Sequence, residues 1–311
     1  MLSVIIPLYN KQELIVNCLS SILSQTELPD EIVIVNDGST DDSLESAKKF
    51  IEKNKNNIKI NIINQVNSGV SAARNNGVLA SRNNLIAFLD ADDEWQPDFL
   101  EKMLKLIQQF PDAVMYSSFH RIKDSDGNFF KPKSVLPDDF SGYIENYAKI
   151  AKVMPIVNSS KVILRKKEFL EIGGFTVGAV LTEDLLLWFK VSLEYNVAFI
   201  NEPLIIINQF QDDSRIARAN KTPYIIEYYS KNYKEFSILS SSQKDYLYSV
   251  YFKHLLGSLK DGNYMEAFNR FKAGFKLFKI KSLILVSIFI IPPFVYKILR
   301  GFKRKVLSYR N

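Results

Sequence analysis

Cysteine and histidine are scarce in this chain of 311 residues, and each scarcity excludes a class of protein. Cys18 is the only cysteine, so no disulfide forms within the chain, and a reducing compartment fits this usage. The only histidines are His120 and His254, and two imidazoles argue against a histidine-rich zinc site. With 47% hydrophobic and 24% charged residues, the chain is typical of a folded protein with a sizeable core.

Acidic residues are missing from the C-terminal end. Residues 267–311 contain eleven Lys or Arg and no Asp or Glu. The whole chain has a net charge of +6, but its first 266 residues carry 40 − 11 = 29 basic and 34 acidic side chains, which gives −5. The basic surplus therefore belongs to the C-terminal end. It indicates an anionic partner surface, either a membrane or a nucleic acid.

The chain also lacks, near this end, a hydrophobic run long enough to cross a bilayer. Residues 282–296 are fifteen uncharged residues interrupted by Pro292 and Pro293. As a straight helix they would span about 22 Å, whereas the hydrocarbon core is roughly 30 Å thick. Basic residues flank the run on both sides, which disfavours a crossing. We expect peripheral or monotopic membrane contact through residues 276–305, and no nucleic-acid partner. A buried core helix and a true span are the alternatives.

The N-terminus, Met1–Pro7, has no basic region and no cleavage site. We expect it to form a first strand rather than a signal peptide.

Apolar strands alternate with helical patterns over the first 120 residues. The pattern predicts strands at Leu2–Ile6, Glu31–Asn36, Ile58–Asn64 and Leu85–Leu89. It predicts the intervening helices at Lys11–Ser24, Asp42–Lys53, Val70–Ala80 and Pro97–Gln109. This alternation indicates an α/β fold with a Rossmann-like, mostly parallel sheet flanked by helices. Ligands of such sheets bind at the carboxyl ends of the strands.

The pattern changes after residue 112. Strands are predicted at Ala113–Ile122, Ser160–Leu164, Val197–Ile200 and Leu204–Ile207, and a helix at Glu183–Tyr195. From about Thr222 the chain becomes helical and rich in Tyr, Phe and Lys. We therefore predict a catalytic domain at 1–218 and a helical, basic, membrane-associating region at 219–311.

Three carboxylates follow the predicted fourth strand at its carboxyl end. Asp90, Asp92 and Asp93 would repel one another unless a cation lay between them. A divalent metal that also binds a phosphate suits this position, because hard cations prefer carboxylate and phosphate oxygens. The sequence therefore predicts an enzyme that handles a nucleoside diphosphate.

Four segments in order carry a family resemblance: Val4–Asn10, Val33–Ser43, Gly69–Gly77 and Phe88–Asp93. Together they resemble the family-2 inverting glycosyltransferases of GT-A fold, many of which build bacterial surface polysaccharides. The resemblance covers about residues 1–210. It implies a GT-A fold, and the C-terminal end is similar to the membrane-associating ends common in that family.

The resemblance also implies roles for residues of the donor site. Asp90-Ala91-Asp92 resembles the DxD motif, in which Asp92, with Asp90, would ligate Mn²⁺ or Mg²⁺. The implied nucleotide-sugar contacts are Pro7, Tyr9, Asn10, Asp37, Arg74, Asp90 and Ala91. Each has an ordinary structural alternative: Asp37 as a turn residue, Tyr9 as a packed ring, Arg74 in a salt bridge, and residues 90–92 as a polar loop before a helix.

Glu183 and Asp184 begin a predicted helix about 90 residues after the DxD motif. The resemblance implies that Asp184 is the base that deprotonates the acceptor hydroxyl, and that Glu183 positions the acceptor or the base. The alternative is an ordinary first helical turn, with Thr182 as N-cap and two acids at the positive end of the helix.

The resemblance thus implies transfer of a sugar from a nucleoside-diphosphate donor, expected to be a UDP-sugar, to a saccharide acceptor. We expect a lipid-linked acceptor at the cytoplasmic face of the inner membrane, in cell-surface polysaccharide biosynthesis. The absence of a Gln-x-x-Arg-Trp signature disfavours a processive polymerase. A non-catalytic scaffold of an assembly complex is the alternative, whereas a sugar-nucleotide pyrophosphorylase would need a glycine-rich loop where Pro7–Asn10 stands.

Overall fold

The first two strands, β1 (Leu2–Leu8) and β2 (Glu31–Asp37), are buried along their whole length. Continuous apolar runs of this kind are typical of parallel strands covered on both faces. They pair in parallel, with Ser3 opposite Glu31 at one end and Leu8 opposite Asn36 at the other. They lie side by side in the sheet, and polar residues follow them at one edge.

The computed structural model describes residues 1–54, 57–209 and 221–283. These residues divide into two units. The described part of the first unit comprises 1–54, 57–179 and 183–209, and that of the second comprises 180–182 and 221–283. The boundary at 218/219 lies outside the described residues, so the division into 1–218 and 219–311 stays a prediction.

The N-terminal half of the sheet is parallel, as expected from the alternating pattern. Strands β3 (Lys59–Gln65) and β4 (Leu85–Phe88) pair in parallel with β2 and β1, respectively. The helices between these four strands are α1 (Ile15–Leu23), α2 (Ser43–Lys53) and α3 (Val70–Ala80). The predicted α/β fold with a Rossmann-like sheet is confirmed here, with element bounds within a few residues of those expected.

The remaining strands of the sheet pair in both parallel and antiparallel directions. They are β5 (Glu94–Trp95), β6 (Ala113–Lys123), β7 (Phe129–Phe130), β8 (Ser141–Tyr143), β9 (Val162–Arg165) and β10 (Asn196–Asn208). The helices in this part of the chain are α4 (Phe99–Gln109), α5 (Tyr147–Ala151), α6 (Lys166–Glu171) and α7 (Glu183–Glu194). The strand order is β3-β2-β1-β4-β9-β6-β10-β5, and β7 and β8 pair with β6 and β10. The long strands β6 and β10 are parallel, whereas β9 lies antiparallel between β4 and β6.

The prediction of two short strands at 197–200 and 204–207 is wrong, because they belong to the single strand β10. Its register against β6 shifts on both sides of Pro203. Proline has no N–H to donate to a ladder, so a strand that continues through it becomes irregular. The strand nevertheless carries Asn208 to the edge where the carboxylates lie.

Helix α3 approaches β1 closely through a glycine. A Cβ added to Gly77 would lie 2.3 Å from Ile5 Cγ2 and 3.2 Å from Val35 Cγ2, and no side chain fits in that space. The small residues of α3 thus have a packing role. They allow α3, the helix that carries Arg74, to pack closely against β1 and β2.

The described part of the second unit is helical, in agreement with the expected helical extension. Its helices are α8 (Tyr224–Lys231), α9 (Tyr233–Ile238), α10 (Ser241–Lys260) and α11 (Tyr264–Leu283), the last interrupted at Lys279. The Ser240 hydroxyl and the Gln243 side chain form a capping box at the start of α10. Among the described residues, no helix is long and apolar enough to cross a membrane. Most of the 276–305 segment lies outside the described residues.

Candidate active site

The predicted site residues gather at the carboxyl edge of the parallel strands. Tyr9 and Asn10 follow β1, Asp37 ends β2, and Asp90 lies two residues after β4. Parallel strands end at the same edge of a sheet, so these positions come together although they are far apart in sequence.

Asn10 joins the loop after β1 to the loop after β2. Its amide oxygen accepts a hydrogen bond from the Thr40 N–H at 2.8 Å, and its amide nitrogen donates to the Thr40 hydroxyl at 3.2 Å. Pro7 is buried within β1, whereas Tyr9 is 41% exposed. Of the three residues expected to cradle a nucleotide, Tyr9 therefore presents an accessible side chain and Asn10 shapes the loop.

Asp37 is buried and holds the loop that leads into α3. Its carboxylate accepts hydrogen bonds from Gln65 Nε2 at 2.7 Å, the Ser68 N–H at 2.7 Å and the Gly69 N–H at 2.9 Å. Three donors fix the orientation of this carboxylate at the edge of the sheet. Its expected contact with a nucleobase stays a prediction.

Arg74 lies at the centre of the site and is only 5% exposed. Its Nη2 donates to Asp90 Oδ1 at 2.6 Å, and the guanidinium lies 5.1 Å from the centre of the Phe175 ring. Burial lowers the pKa of Arg74, but the charges of Asp90, Glu183 and Asp184 outweigh it and raise the pKa above its ordinary value. The guanidinium therefore stays charged, and it is directed at Asp90.

Asp92 is paired with Lys11. The ammonium lies 2.9 Å from Asp92 Oδ2, and the two side chains are 23% and 28% exposed. Lys11 was not expected in the site from the sequence, although a cation three residues after the end of β1, at the edge where the acids lie, could have indicated it. Ala91, between the two DxD carboxylates, is buried.

Asp93 has a structural role. Its buried carboxylate accepts from the Ser160 hydroxyl at 2.5 Å and from the Asn208 N–H at 3.0 Å. Asn208 Nδ2 in turn donates to the Asp92 carbonyl at 2.6 Å. Burial raises the pKa of Asp93 well above its ordinary value, and the charges of Asp92 and Asp90 add to this. Asp93 thus ties the end of β10 to the DxD segment, a link between distant residues that the sequence pattern did not indicate.

Glu183 and Asp184 occupy the first turn of α7. Glu183 is buried and Asp184 is partly exposed, with its Oδ1 accepting from the Leu185 N–H at 2.7 Å. Burial raises the pKa of Asp184 and the charge of Asp90 adds to this, while Arg74 and the Leu185 N–H hold it down in part. Charges shift a pKa in this way only over short distances, so the start of α7 lies near the Arg74 guanidinium, as the DxD segment does.

The Thr182 hydroxyl, before the first turn of α7, accepts a hydrogen bond from the Ile225 N–H at 3.2 Å, and Thr182 has a φ of 65°. Both tryptophans near the site belong to the core: Trp95 donates through Nε1 to the Ser160 carbonyl at 2.7 Å, and Trp188 is fully buried against Phe175.

The donor set suits one kind of metal site. Among the described residues, no group of three or more His, Cys, Asp and Glu is placed to hold a metal by itself. Asp90 and Asp92 are each partly exposed and follow the carboxyl end of β4. Mg²⁺ is commonly bound by one or two carboxylates and completes its shell with waters and substrate phosphates. These residues therefore fit an ion shared with a phosphate ligand.

A match to a protein-family model shows the family to which the chain belongs. The model described as Glycosyl transferase family 2 matches residues 3–172, which is more than half of the chain and includes the DxD segment. The chain belongs to glycosyl transferase family 2. Residues 183 and 184 lie beyond the matched region.

Two glycosyltransferases are similar to parts of the chain. Glycosyltransferase GlyA of Streptococcus pneumoniae is 38% identical over 129 residues, which cover 42% of this chain and 18% of that protein. An uncharacterized glycosyltransferase of Rickettsia bellii is 30% identical over 219 residues, which cover 70% of this chain and 30% of that protein. The chain thus spans less than a third of the length of these two relatives.

The fold of this family member is similar to that of S. aureus TarS. The crystal structure of TarS residues 1–349 in complex with UDP-GlcNAc matches with a TM-score of 0.70 at 17% identity, covering 89% of this chain and 81% of that one. A second structure of TarS 1–349 matches with a TM-score of 0.65. At this identity the likeness shows the fold, and it confirms the GT-A architecture expected from the sequence.

Proposed function

We propose that this protein is an inverting glycosyltransferase that moves a sugar from a nucleoside-diphosphate donor to a saccharide acceptor. The observation that carries the proposal is the position of Arg74, which pairs with Asp90 of the DxD segment and is influenced by the charges of Glu183 and Asp184. Both observations support a single site shared by the residues expected on the donor side and those expected on the acceptor side. Membership of glycosyl transferase family 2 supports the same reaction class.

A UDP-sugar is the donor that we propose. TarS, whose fold is similar, was crystallised with UDP-GlcNAc, and this supports a uridine nucleotide at the edge of β1, β2 and β4. The exposed ring of Tyr9 offers a surface on which a base can stack. The buried Asp37 carboxylate, fixed by three donors, offers acceptor capacity beside it.

Asp92, together with Asp90, would hold Mn²⁺ or Mg²⁺. When bound, such an ion supplies neutralisation of the negative charge on the departing nucleoside diphosphate. Arg74 keeps the Asp90 carboxylate oriented through a hydrogen bond at 2.6 Å. Asp93 holds the DxD segment in place through its hydrogen bonds with Ser160 and Asn208.

Asp184 is the base that we propose for the acceptor hydroxyl. In an inverting transfer the acceptor oxygen attacks the anomeric carbon from the face opposite the leaving phosphate, and its proton passes to the base. A pKa above that of an ordinary aspartate makes a carboxylate a stronger proton acceptor. Arg74 and the Leu185 N–H limit this rise of the pKa, and Glu183 lies beside Asp184 in the same helical turn.

The acceptor that we propose is a lipid-linked saccharide at the cytoplasmic face of the membrane, in surface polysaccharide biosynthesis. The support is the charge distribution of the sequence, with eleven basic and no acidic residues between 267 and 311. Positive segments of this kind are attracted to anionic lipid surfaces.

The test is release of the nucleoside diphosphate from a panel of nucleotide sugars in the presence of Mn²⁺ and an acceptor extract. We expect Asp184→Asn to bind UDP as the wild type does but to turn over about 10²–10⁴-fold more slowly, which is the usual contribution of a general base. Glu194→Gln changes an exposed carboxylate of the same helix and is the matched control. Turnover by Asp184→Asn at the wild-type rate would remove Asp184 from the mechanism.

A further inference from the structure

Lys11 combines a fixed backbone with a side chain that reaches Asp92. Its N–H donates to the Ser43 hydroxyl at 2.6 Å, and its carbonyl accepts from the Leu14 and Ile15 N–H groups at 3.0 and 2.9 Å. The ammonium lies 2.9 Å from Asp92 Oδ2. The main chain is therefore held in one place, while the long, partly exposed side chain is the part that can change its partner.

The Lys11 ammonium and a divalent metal would compete for the same carboxylate. A metal bound to Asp92 lies roughly 2.0–2.6 Å from the oxygen, close to the position that the ammonium now takes. Two cations at such a distance repel each other strongly. A metal bound to Asp92 Oδ2 therefore displaces the ammonium of Lys11, and a metal bound to Oδ1 is opposed by its charge.

The neighbouring carboxylates do not offer the same exchange. Asp90 is paired with Arg74, which is almost completely buried. Asp93 is held by the Ser160 hydroxyl and the Asn208 N–H. Of these three acids, Asp92 is the one whose cationic partner sits on a partly exposed and flexible stem.

A diphosphate offers Lys11 a new partner. A nucleoside diphosphate keeps a net negative charge after it binds one divalent ion, and an ammonium is a point charge suited to phosphate oxygens. An ammonium that loses Asp92 to the metal would thus gain a phosphate at the same edge of the sheet.

We propose that Lys11 is a positioning residue that exchanges Asp92 for the donor diphosphate, and so makes metal binding depend on the nucleotide. This rests on the proposed function, because it takes Asp92 as the metal ligand. Without nucleotide, Lys11 opposes the metal; with nucleotide, it binds the complex of metal and diphosphate. By linkage, UDP and Mn²⁺ then raise each other's affinity by the same factor.

The experiment is a titration of Mn²⁺ into the full chain, followed by electron paramagnetic resonance of free Mn²⁺, with and without UDP. The variants are Lys11→Gln, Lys11→Arg, and Lys49→Gln as control, since Lys49 is an exposed lysine of α2 paired with Glu45. Asp92→Asn gives the background of Mn²⁺ bound elsewhere. A thermal melt of each variant establishes that it is folded.

We expect Lys11→Gln to bind Mn²⁺ alone about fivefold or more tightly than the wild type, and to lose most of the mutual enhancement between Mn²⁺ and UDP. Lys11→Arg, which keeps the charge, and Lys49→Gln should behave as the wild type. If Lys11→Gln binds Mn²⁺ with the same affinity as the wild type while Asp92→Asn still abolishes the site, the inference about Lys11 is wrong. The proposed metal site is not affected by that result. If Asp92→Asn binds Mn²⁺ as the wild type does, the proposed metal site fails and the inference fails with it.

Discussion

Arg74 is the residue on which the arrangement of the site depends. It is buried, its partner Asp90 is a DxD carboxylate, and its charge influences Glu183 and Asp184. Removing Asp90 would leave the buried guanidinium uncompensated, and the loss of one partner of a buried ion pair typically costs about 3–5 kcal/mol. One guanidinium therefore links the stability of the site to the protonation of the proposed base.

The protonation of Asp184 gives a pH dependence with a definite sign. Burial raises its pKa, so transfer should decline on the acid side at a higher pH than for an ordinary aspartate. Arg74 lowers this pKa, so Arg74→Gln should move the acid limb of kcat/KM to still higher pH. The measurement is the pH profile of nucleoside diphosphate release, with Arg82→Gln, an exposed arginine, as control. An acid limb that stays in place in Arg74→Gln would contradict the coupling.

Asp92 and Asp93 are neighbours with different roles. Asp93→Ala removes the acceptor of the Ser160 hydroxyl and the Asn208 N–H, and we expect it to lower the free energy of unfolding by about 1–3 kcal/mol. Asp93→Asn keeps one carbonyl oxygen and should lose less. Urea denaturation measures both, and Asp112→Ala, an exposed acid, is the control. If Asp93→Asn lost nucleotide turnover as completely as Asp92→Asn, the structural role of Asp93 would be wrong.

Among the elements, the parallel half of the sheet followed from the sequence and the mixed half followed only in part. Strands β1 and β2 have apolar, largely β-branched centres and end at turn residues, so the pattern predicts a strand at each position without ambiguity. Strand β9 is four residues long and lies between strands distant in sequence, so its place depends on tertiary pairing. The two-residue strands β5 and β7 are too short to leave a periodic pattern.

At the site, too, the sequence pattern predicted the local motifs but not the contacts between residues distant in sequence. The carboxylates at 90 and 92 and the acids at 183 and 184 belong to motifs that follow a strand or begin a helix, and both were expected. The link from Asp93 to Asn208 joins residues 115 positions apart, and no local pattern indicates it. The pairing of Lys11 with Asp92 is likewise a contact between two strand ends.

Helix α3 supplies a test at the level of the element. We expect Gly77→Ala to destabilise the protein by about 1–3 kcal/mol, because the new Cβ overlaps Ile5 and overpacking costs more than the gain in helix propensity. Gly257→Ala in α10 is the matched control, since nothing lies within 4 Å of its added Cβ. It should stabilise by about 0.5–1 kcal/mol. Chemical denaturation of both variants gives the comparison, and a stabilised Gly77→Ala would show that α3 does not need this close approach.

For the whole molecule, the charge distribution predicts attraction to anionic membranes. The chain should float with vesicles that contain anionic lipid, and a variant lacking residues 284–311 should do so much less. Raising the salt concentration should weaken flotation, because screening shortens electrostatic attraction. Neutral vesicles are the control. Equal flotation of the two forms on anionic vesicles would place the attraction elsewhere in the chain.

The central claim is that a divalent ion and a diphosphate meet at Asp90 and Asp92 beside Asp184. The most direct measurement is a crystal structure with Mn²⁺ and UDP in which anomalous scattering locates the manganese. We expect the ion within roughly 2.0–2.6 Å of an Asp92 oxygen, bridging to the diphosphate, with the Asp184 carboxylate directed at the same cavity. Manganese and UDP bound away from Asp92, or an Asp184 side chain turned out of the site, would contradict it.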